Sequence, residues 1–103
     1  MNKPHSREIK RLRAIGHKLN PVVTVANKGL TDAVIAELNR ALEDHELIKI
    51  KFAVGDRNAK AALVQEVCER CAAELVQSIG NVIVILRKNP NPDPRLSNLL
   101  RPL

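Results

Sequence analysis

Apolar and charged side chains alternate along residues 47–53, near the middle of this 103-residue chain. Ile48, Ile50 and Phe52 fall on one side of an extended backbone, and the two lysines between them fall on the other. Because successive side chains of a β-strand point to opposite faces, this alternation predicts a strand with one face on a hydrophobic core. The chain must therefore build a β-sheet and cover its apolar face with other elements.

Six further segments surround this strand in a regular order. Apolar residues recur every three or four positions in three of them, which predicts helices, and the other three are short aliphatic runs, which predict strands. The predicted order is α-β-α-β-α-β-β, with helices at about residues 6–19, 31–45 and 57–73 and strands at 22–25, 47–53, 75–79 and 82–86. Gly80 and Asn81 form the connection of a final hairpin, because both residue types tolerate positive φ.

These elements predict one α/β domain formed by residues 1–88. The helical connections between the first three strands should be right-handed crossovers of the parallel type, and the final hairpin should add one antiparallel strand. We therefore expect a two-layer sandwich in which helices pack on a four-stranded mixed sheet. Residues 89–103 contain four prolines and should form an irregular tail, with its three central leucines docked or in a short helical turn: Leu96, Leu99 and Leu100.

Positive charge is concentrated at the two ends of the chain. Residues 1–29 contain seven Lys or Arg and one acid, whereas residues 30–86 contain six Lys or Arg and nine acids. Residues 87–103 contain four Lys or Arg and one acid, and the net charge is +6. This segregation predicts a basic face for a polyanionic partner, although a solvated lysine-rich helix gives the same pattern. We find no apolar run typical of a membrane span or a secretory signal, and we expect a cytoplasmic protein with no membrane partner.

A glycine loop stands directly before the second predicted helix. The first strand ends in Ala26-Asn27-Lys28-Gly29, and the helix follows at once. The first N–H groups of a helix lack intrahelical partners and carry partial positive charge, so such an end can receive a phosphate. Lys28 adds a full charge, and Gly29 allows a close backbone approach. Many helices begin after a glycine, so the residues alone leave a purely structural turn open as the alternative.

Several motifs in and around this loop resemble those of the bacterial YhbY family, the stand-alone form of the CRM RNA-binding domain. The resemblance covers about residues 4–88 and is carried by residues 21–34, 41–51, 56–60 and 80–87. Its most specific parts are Gly-Leu-Thr at residues 29–31 and His-Glu-Leu-Ile-Lys at residues 45–49. It implies a fold like the C-terminal domain of translation initiation factor 3, and association with precursors of the large ribosomal subunit.

The resemblance also implies a loop comparable to the GxxG loop of KH domains, which contacts RNA together with basic residues around it. Ala26 stands where the family pattern has the first glycine, and alanine fits there if its φ angle is negative. The residues that we expect to contact RNA are Arg7, Lys10, Arg11, Lys18, Asn27, Lys28, Gly29, Arg57 and Lys60. A solvated helix start is the alternative for Arg57 and Lys60. Lys49 and Lys51 either contact RNA or keep their strand face hydrated.

The chain has one aromatic residue, Phe52, and it lies on the apolar side of its strand. Base stacking on aromatic rings, which RRM and OB domains use, is therefore not expected. Binding should depend on phosphate and 2′-OH contacts and on RNA shape, with a strong dependence on salt. The expected partner is RNA of the large-subunit precursor. The alternatives are a general basic nucleic-acid binder and a protein–protein adaptor with an acidic partner.

The sequence shows no catalytic or metal site. Cys68 and Cys71 form a CxxC motif, but both fall late in the third predicted helix on its apolar stripe. A redox pair needs a thiolate stabilised at a helix N-terminus, and zinc needs two ligands beyond this pair. His5, His17 and His45 are widely separated. We therefore expect two reduced core cysteines and a monomeric, non-enzymatic protein without a metal or cofactor.

Overall fold

The computed structural model describes residues 6–102, which form three helices and four strands. The helices are α1 (Ser6–Lys18), α2 (Asp32–His45) and α3 (Arg57–Arg70), and the strands are β1 (Pro21–Val25), β2 (Leu47–Phe52), β3 (Glu74–Ile79) and β4 (Val82–Leu86). This order confirms the predicted succession of helices and strands. The first five residues of the predicted domain, with Lys3 and His5, lie outside the described residues.

The four strands form one mixed sheet in the order β1-β2-β4-β3. β1 and β2 are parallel, while β4 is antiparallel to both β2 and β3. β2 and β3 therefore run in the same direction, as the predicted crossover through α3 requires, but β4 lies between them. β1 and β2 end on the same side of the sheet as the turn at residues 80–81, where Phe52 N donates to Asn81 O at 2.7 Å. We call this side the loop end of the sheet.

The main core lies on the sheet face that carries Ile48, Ile50 and Phe52, and all three side chains are fully buried. The buried leucines of α2 and Val67 of α3 pack against this face. Each such side chain contributes about 1.5–3 kcal/mol by leaving water. Lys51 on the opposite face is exposed, so the predicted alternation of β2 is confirmed.

α1 lies on the opposite face of the sheet and forms a second, smaller core. Leu12 is fully buried against Leu47, Val84 and Leu86. Gly16 permits this packing, because a Cβ atom at Gly16 would lie only 2.9 Å from Cγ2 of Val84. The α/β class and the mixed sheet are confirmed. The sheet and the pair α2 and α3 form the two predicted layers. α1 covers part of the other sheet face as a third layer, because Leu47, Val84 and Leu86 make that part apolar.

α3 ends at Arg70, whereas the apolar pattern predicted a helix to about residue 73. Ala72 has a φ of 50°, and its N–H donates to Glu69 O at 3.3 Å. Ala73 N donates to Cys68 O at 2.9 Å. This is a Schellman termination with alanine at the position that usually holds glycine, so the sequence gives no stop signal at this point.

The C-terminal tail, residues 89–102, folds back onto the junction between α2 and β2 without forming a helix or strand. Asn98 N donates to His45 O at 2.9 Å, and Asn98 Nδ2 donates to Leu47 O at 2.7 Å. Ser97 and Asn98 are both buried. Polar side chains therefore anchor the tail to the domain.

Of the three tail leucines, Leu99 is docked beside the α1 core, whereas Leu96 and Leu100 are exposed. Leu96 and Leu100 lie in single helical turns, closed by Ser97 N donating to Asp93 O at 2.8 Å and Arg101 N donating to Ser97 O at 2.9 Å. The division of the chain at residue 88 stays a prediction. Between residues 6 and 102, the structure contains no helix of the length and apolar character that a membrane span needs.

Candidate nucleic-acid interface

The loop between β1 and α2 is a tight turn at the loop end of the sheet. Gly29 N donates to Ala26 O at 2.9 Å, and Gly29 has a φ of 71°, a conformation that favours glycine. Ala26 is not among the non-glycine residues with positive φ, so alanine fits this position without backbone strain. Asn27 and Lys28 are both exposed. The turn thus presents these two side chains to solvent and depends on Gly29 for its shape.

The start of α2 is already partly neutralised by its own residues. Thr31 Oγ1 accepts a hydrogen bond from Val34 N at 3.2 Å, which satisfies one of the free N–H groups at the helix end. Asp32, in the first turn, is fully exposed, and its carboxylate lies 3.7 Å from the guanidinium of Arg70. The positive charge available at this loop is therefore that of Lys28, and the helix dipole adds less than a bare N-terminus would.

α3 begins at the same end of the sheet. Asp56 caps the helix, since its Oδ1 accepts from Asn58 N at 2.9 Å, and Arg57 is exposed beside it. Lys60 is half-buried, and its Nζ donates to Gly80 O in the turn before β4. The ammonium of Lys60 thus holds this turn, while Arg57 remains open to solvent.

The loop and α3 are in direct contact. A Cβ atom on Gly29 would lie 3.8 Å from Cδ2 of Leu63, and Arg70 Nη1 donates to Leu30 O at 3.3 Å. The structure therefore brings five of the predicted residues to one end of the sheet. We call them the loop-end group: Asn27, Lys28, Gly29, Arg57 and Lys60.

The remaining four predicted residues lie on α1, across the sheet from α2 and α3. We call them the helix group: Arg7, Lys10, Arg11 and Lys18. All four side chains are exposed. Arg11 Nη2 donates to Leu99 O of the tail at 2.6 Å. No member of the helix group forms an ion pair with a carboxylate of residues 6–102.

Several cations elsewhere in the fold are bound to acids or carbonyls. Lys88 Nζ lies 2.8 Å from Glu8 Oε1, and Arg95 pairs with Asp93 at 3.3 Å. Arg87, which is partly buried, lies 3.7 Å from the carboxylate of Glu43 and donates to Asn39 Oδ1 and Cys71 O, each at 2.8 Å. These three cations therefore have neighbouring acids. By contrast, no described carboxylate neutralises the exposed cations of the loop-end group and the helix group.

Cys68 and Cys71 are free cysteines that pack against the main core. Burial raises the pKa of both thiols; the neighbouring Cys71 adds to the rise at Cys68, while Arg87 and Arg70 oppose it at Cys71. A thiol with a raised pKa is protonated at neutral pH and is a poor nucleophile. Within the part of the chain that the structure describes, no group of three or more His, Cys, Asp or Glu residues is placed to hold a metal.

One cation that the sequence did not single out stands beside the helix group. Arg101 of the tail lines the same groove as Arg11 and Lys18. The available signal was the excess of basic residues after residue 86, which marks the segment but no particular residue. The fold was needed to show which of the basic residues in the tail lies near α1.

Comparison with known proteins gives consistent matches over most of the chain. The family model of the CRS1/YhbY (CRM) domain matches residues 5–87. A probable RNA-binding protein of Pseudomonas aeruginosa is 51% identical over 92 residues, covering 89% of this chain and 88% of that protein. An RNA-binding protein of Haemophilus influenzae is 42% identical over 76 residues, covering 74% and 77%. The solution structure of a hypothetical Staphylococcus aureus protein, described as a candidate RNA binder, aligns with a TM-score of 0.73 at 28% identity, covering 86% of this chain and 93% of that one.

Proposed function

The chain belongs to the CRS1/YhbY (CRM) domain family, and we propose that it is a non-enzymatic RNA-binding protein that acts on precursors of the large ribosomal subunit. The names of its relatives from Pseudomonas aeruginosa and Haemophilus influenzae support RNA binding. The resemblance to the YhbY family described above supports the ribosomal partner. In this proposal the protein acts as a monomer in the cytoplasm.

The observation that carries the proposal is the exposed charge of α1 and of the loop end of the sheet. Lys10, Lys18, Lys28 and Arg57 are exposed, and none pairs with a carboxylate among the described residues. Charge of this kind attracts a polyanion and releases its condensed counterions on binding, which makes the affinity fall as salt rises. The same charges would repel one another in a protein with no anionic partner, so RNA phosphates are the ligand they fit best.

In the proposed complex the two groups have different tasks. The helix group supplies long-range attraction and contacts to several phosphates. At the loop end, the Gly29 turn lets an RNA backbone approach the chain closely, and Lys28 and Arg57 hold its phosphates. Since Phe52 is fully buried and is the chain's one aromatic residue, the protein reads RNA by its shape, phosphates and 2′-OH groups and does not stack bases on aromatic rings.

A pair of charge reversals tests RNA binding. Lys10→Glu combined with Lys28→Glu should weaken binding to a large-subunit rRNA fragment by at least about tenfold and flatten its salt dependence, because two phosphate contacts are lost. Both side chains are exposed, so the variant should fold. The matched control is Arg40→Glu with Arg95→Glu, two exposed positions outside both groups, which changes the net charge equally.

Fluorescence anisotropy over a series of salt concentrations measures both variants. Equal losses in the test and control pairs would show that only net charge matters, and the proposed surface would be wrong. Equal affinity of the wild type for RNA and duplex DNA would favour a general nucleic-acid binder. Tight capture of an acidic protein without RNA affinity would favour an adaptor.

The ribosomal partner needs a separate experiment. Ultraviolet crosslinking in cells, followed by sequencing of the bound RNA, should return fragments of large-subunit ribosomal RNA enriched in immature particles. The Lys10→Glu, Lys28→Glu pair serves as the background sample. A broad spread over transcripts, with no enrichment of ribosomal RNA over that background, would contradict the assembly role.

A further inference from the structure

A groove of about 320 Å³ runs between α1 and the C-terminal tail, outside the loop-end group. Three cations line it, Arg11 and Lys18 from α1 and Arg101 from the tail, and no acid is among its described lining residues. We propose that this groove is a second subsite for the RNA phosphate backbone, built jointly by α1 and the tail, with Arg101 as its central contact. The proposal rests on the RNA-binding function proposed above and extends it to a segment beyond the matched family domain.

The guanidinium of Arg101 is held in place, and no acid of the described residues neutralises it. Its Nε donates to Asn98 Oδ1 at 2.8 Å, and Asn98 is itself buried and anchored through Leu47 O. No described carboxylate pairs with Arg101, and no described atom accepts from its two terminal nitrogens. A planar guanidinium fixed in this way presents two parallel donors, which match the geometry of phosphate oxygens.

Arg11 is fixed on the other wall of the groove. Its Nη2 donates to the carbonyl of Leu99 at 2.6 Å, so the tail backbone orients this guanidinium as well. The third cation, Lys18, lies two helical turns further along α1. Because the tail backbone holds Arg11 and the anchored Asn98 holds Arg101, a phosphate entering the groove meets two charges that need little reordering, which lowers the entropic cost of binding.

The other basic residues after position 86 are engaged elsewhere. Lys88 pairs with Glu8, and Arg95 pairs with Asp93. Arg87 donates to Asn39 and to a main-chain carbonyl. Among the basic residues after position 86, Arg101 is thus the one whose positive charge has no acidic partner in the described fold.

The groove also joins the two groups of predicted residues. Arg101 and Asn98 line a neighbouring hollow that reaches Lys49, and Lys49 lines a third hollow with His17 and Val82. Val82 follows the turn at residues 80–81, which Lys60 of the loop-end group contacts. A single RNA strand can therefore pass from the helix group, beside Arg101 and Lys49, to the loop end of the sheet, and no described residue lining the three hollows is acidic.

The groove favours an RNA backbone over an acidic protein segment. Three cations and the Asn98 amide line it beside the apolar Ala14, Ile15 and Leu99, so an occupant needs closely spaced anionic groups, which an RNA backbone supplies at every nucleotide. The charge of the groove is continuous with the surface proposed to bind RNA. An acidic protein is the competing occupant, and RNA measurements on tail variants distinguish the two.

The test compares Arg101→Gln with Arg95→Gln in the full-length protein. Arg101→Gln should weaken binding of a single-stranded rRNA fragment about five- to tenfold at low salt and reduce the slope of log affinity against log salt by about 0.7, the value for one lost phosphate contact. Arg95→Gln, an exposed arginine of the same tail, should change neither quantity. Lys49→Gln should behave like Arg101→Gln.

Arg101→Lys separates charge from a structural role. It keeps the positive charge but loses the Nε contact to Asn98, so it should recover most of the salt slope lost in Arg101→Gln. If Arg101→Gln binds like the wild type, or if Arg101→Lys and Arg101→Gln are equally impaired, the subsite is refuted. Unchanged binding by Lys49→Gln refutes its extension toward the loop end. Failure of the wild type itself to bind RNA would refute the underlying function, and this result is distinct from all three.

Discussion

Ser97 Oγ donates a 2.6 Å hydrogen bond to Oε1 of Glu46, and both residues are buried. The second carboxylate oxygen of Glu46 accepts from Asn89 N at 2.7 Å. Glu46 also has a φ of 62°, in the region that favours glycine, at the point where α2 gives way to β2. A buried carboxylate must be hydrogen-bonded to be tolerated, and here the C-terminal tail provides both bonds. The tail therefore stabilises the junction between α2 and β2.

Loss of the Ser97 hydroxyl should destabilise the fold. Ser97→Ala removes one donor from a buried acid, so the free energy of unfolding should fall by about 1.5–3 kcal/mol, the range for hydrogen bonds to charged groups. Urea titration followed by circular dichroism measures the change. Ser78→Ala, at an exposed position of β3, is the control and should stay within about 0.5 kcal/mol of the wild type. Similar stabilities of the two variants would contradict the anchoring role of Glu46.

Gly16 should resist replacement by alanine although it lies inside a helix. Alanine favours a helix over glycine by about 1 kcal/mol, but its Cβ would lie 2.9 Å from Val84 Cγ2. We expect Gly16→Ala to destabilise the protein by about 1–3 kcal/mol through overpacking. The cost should shrink or reverse in a Val84→Ala background, which removes both nearby methyl groups. Additive effects in this double-mutant cycle would show that the close approach of α1 is not what requires glycine.

Gly29 should be required for the shape of the loop. Gly29→Ala puts a Cβ atom on a residue with a φ of 71°, which costs about 1–2 kcal/mol in stability and should shift Lys28 and weaken RNA binding. Gly55→Ala is the matched control, because its Cβ would meet no atom within 4 Å and its φ lies outside the positive range. Thermal melts and RNA affinity of the two variants give the comparison. A Gly29→Ala variant as stable as Gly55→Ala would be inconsistent with the turn described.

The two thiols should be slow to alkylate in the folded state. Since burial raises the pKa of Cys68 and Cys71, their reaction with iodoacetamide at pH 8 should be several-fold slower than after unfolding in urea. Folding favours the protonated thiols, so their contribution to stability is complete below the ordinary thiol pKa of about 8.5 and is lost as the pH rises through the higher folded values. If the folded protein is alkylated as fast as the unfolded protein, the two thiols are not buried as described.

The elements that follow simple periodicity were predictable from sequence. β2 was predicted from its alternation, and β4 was predicted with the bounds that the structure shows, because five aliphatic residues follow a two-residue turn. The end of α3 was not predictable. Ala72 adopts a positive φ that its residue type does not announce, and Ala73 continues the apolar pattern into the core.

The second sheet face and the tail depend on tertiary contacts that local patterns do not reveal. Leu47 shares a face with Lys49 and Lys51, so the lysines dominated the pattern and concealed the site where α1 packs. In the tail, the apolar pattern indicates leucines as the docking residues, whereas Ser97 and Asn98 are buried. Polar residues become anchors only through a specific partner, and the partner of Ser97 is fifty-one positions away in the chain.

For the same reason, one part of the candidate RNA-binding surface was predictable from the sequence and another part was not. The basic segment that contains α1 and Lys28 could be read from charge alone. The groove at Arg101 could not, because it exists only where the tail meets α1.

The central position of β4 has a consequence for how the protein is made. β4 is synthesised after the other three described strands, yet it pairs with both β2 and β3, and β3 pairs with no other strand in the described sheet. On a translating ribosome, β2 and β3 are therefore synthesised before β4, the strand that pairs with both of them. The four-stranded sheet therefore cannot form before β4 is available, and nascent chains cut short before residue 82 should expose unpaired strand edges to proteases and chaperones.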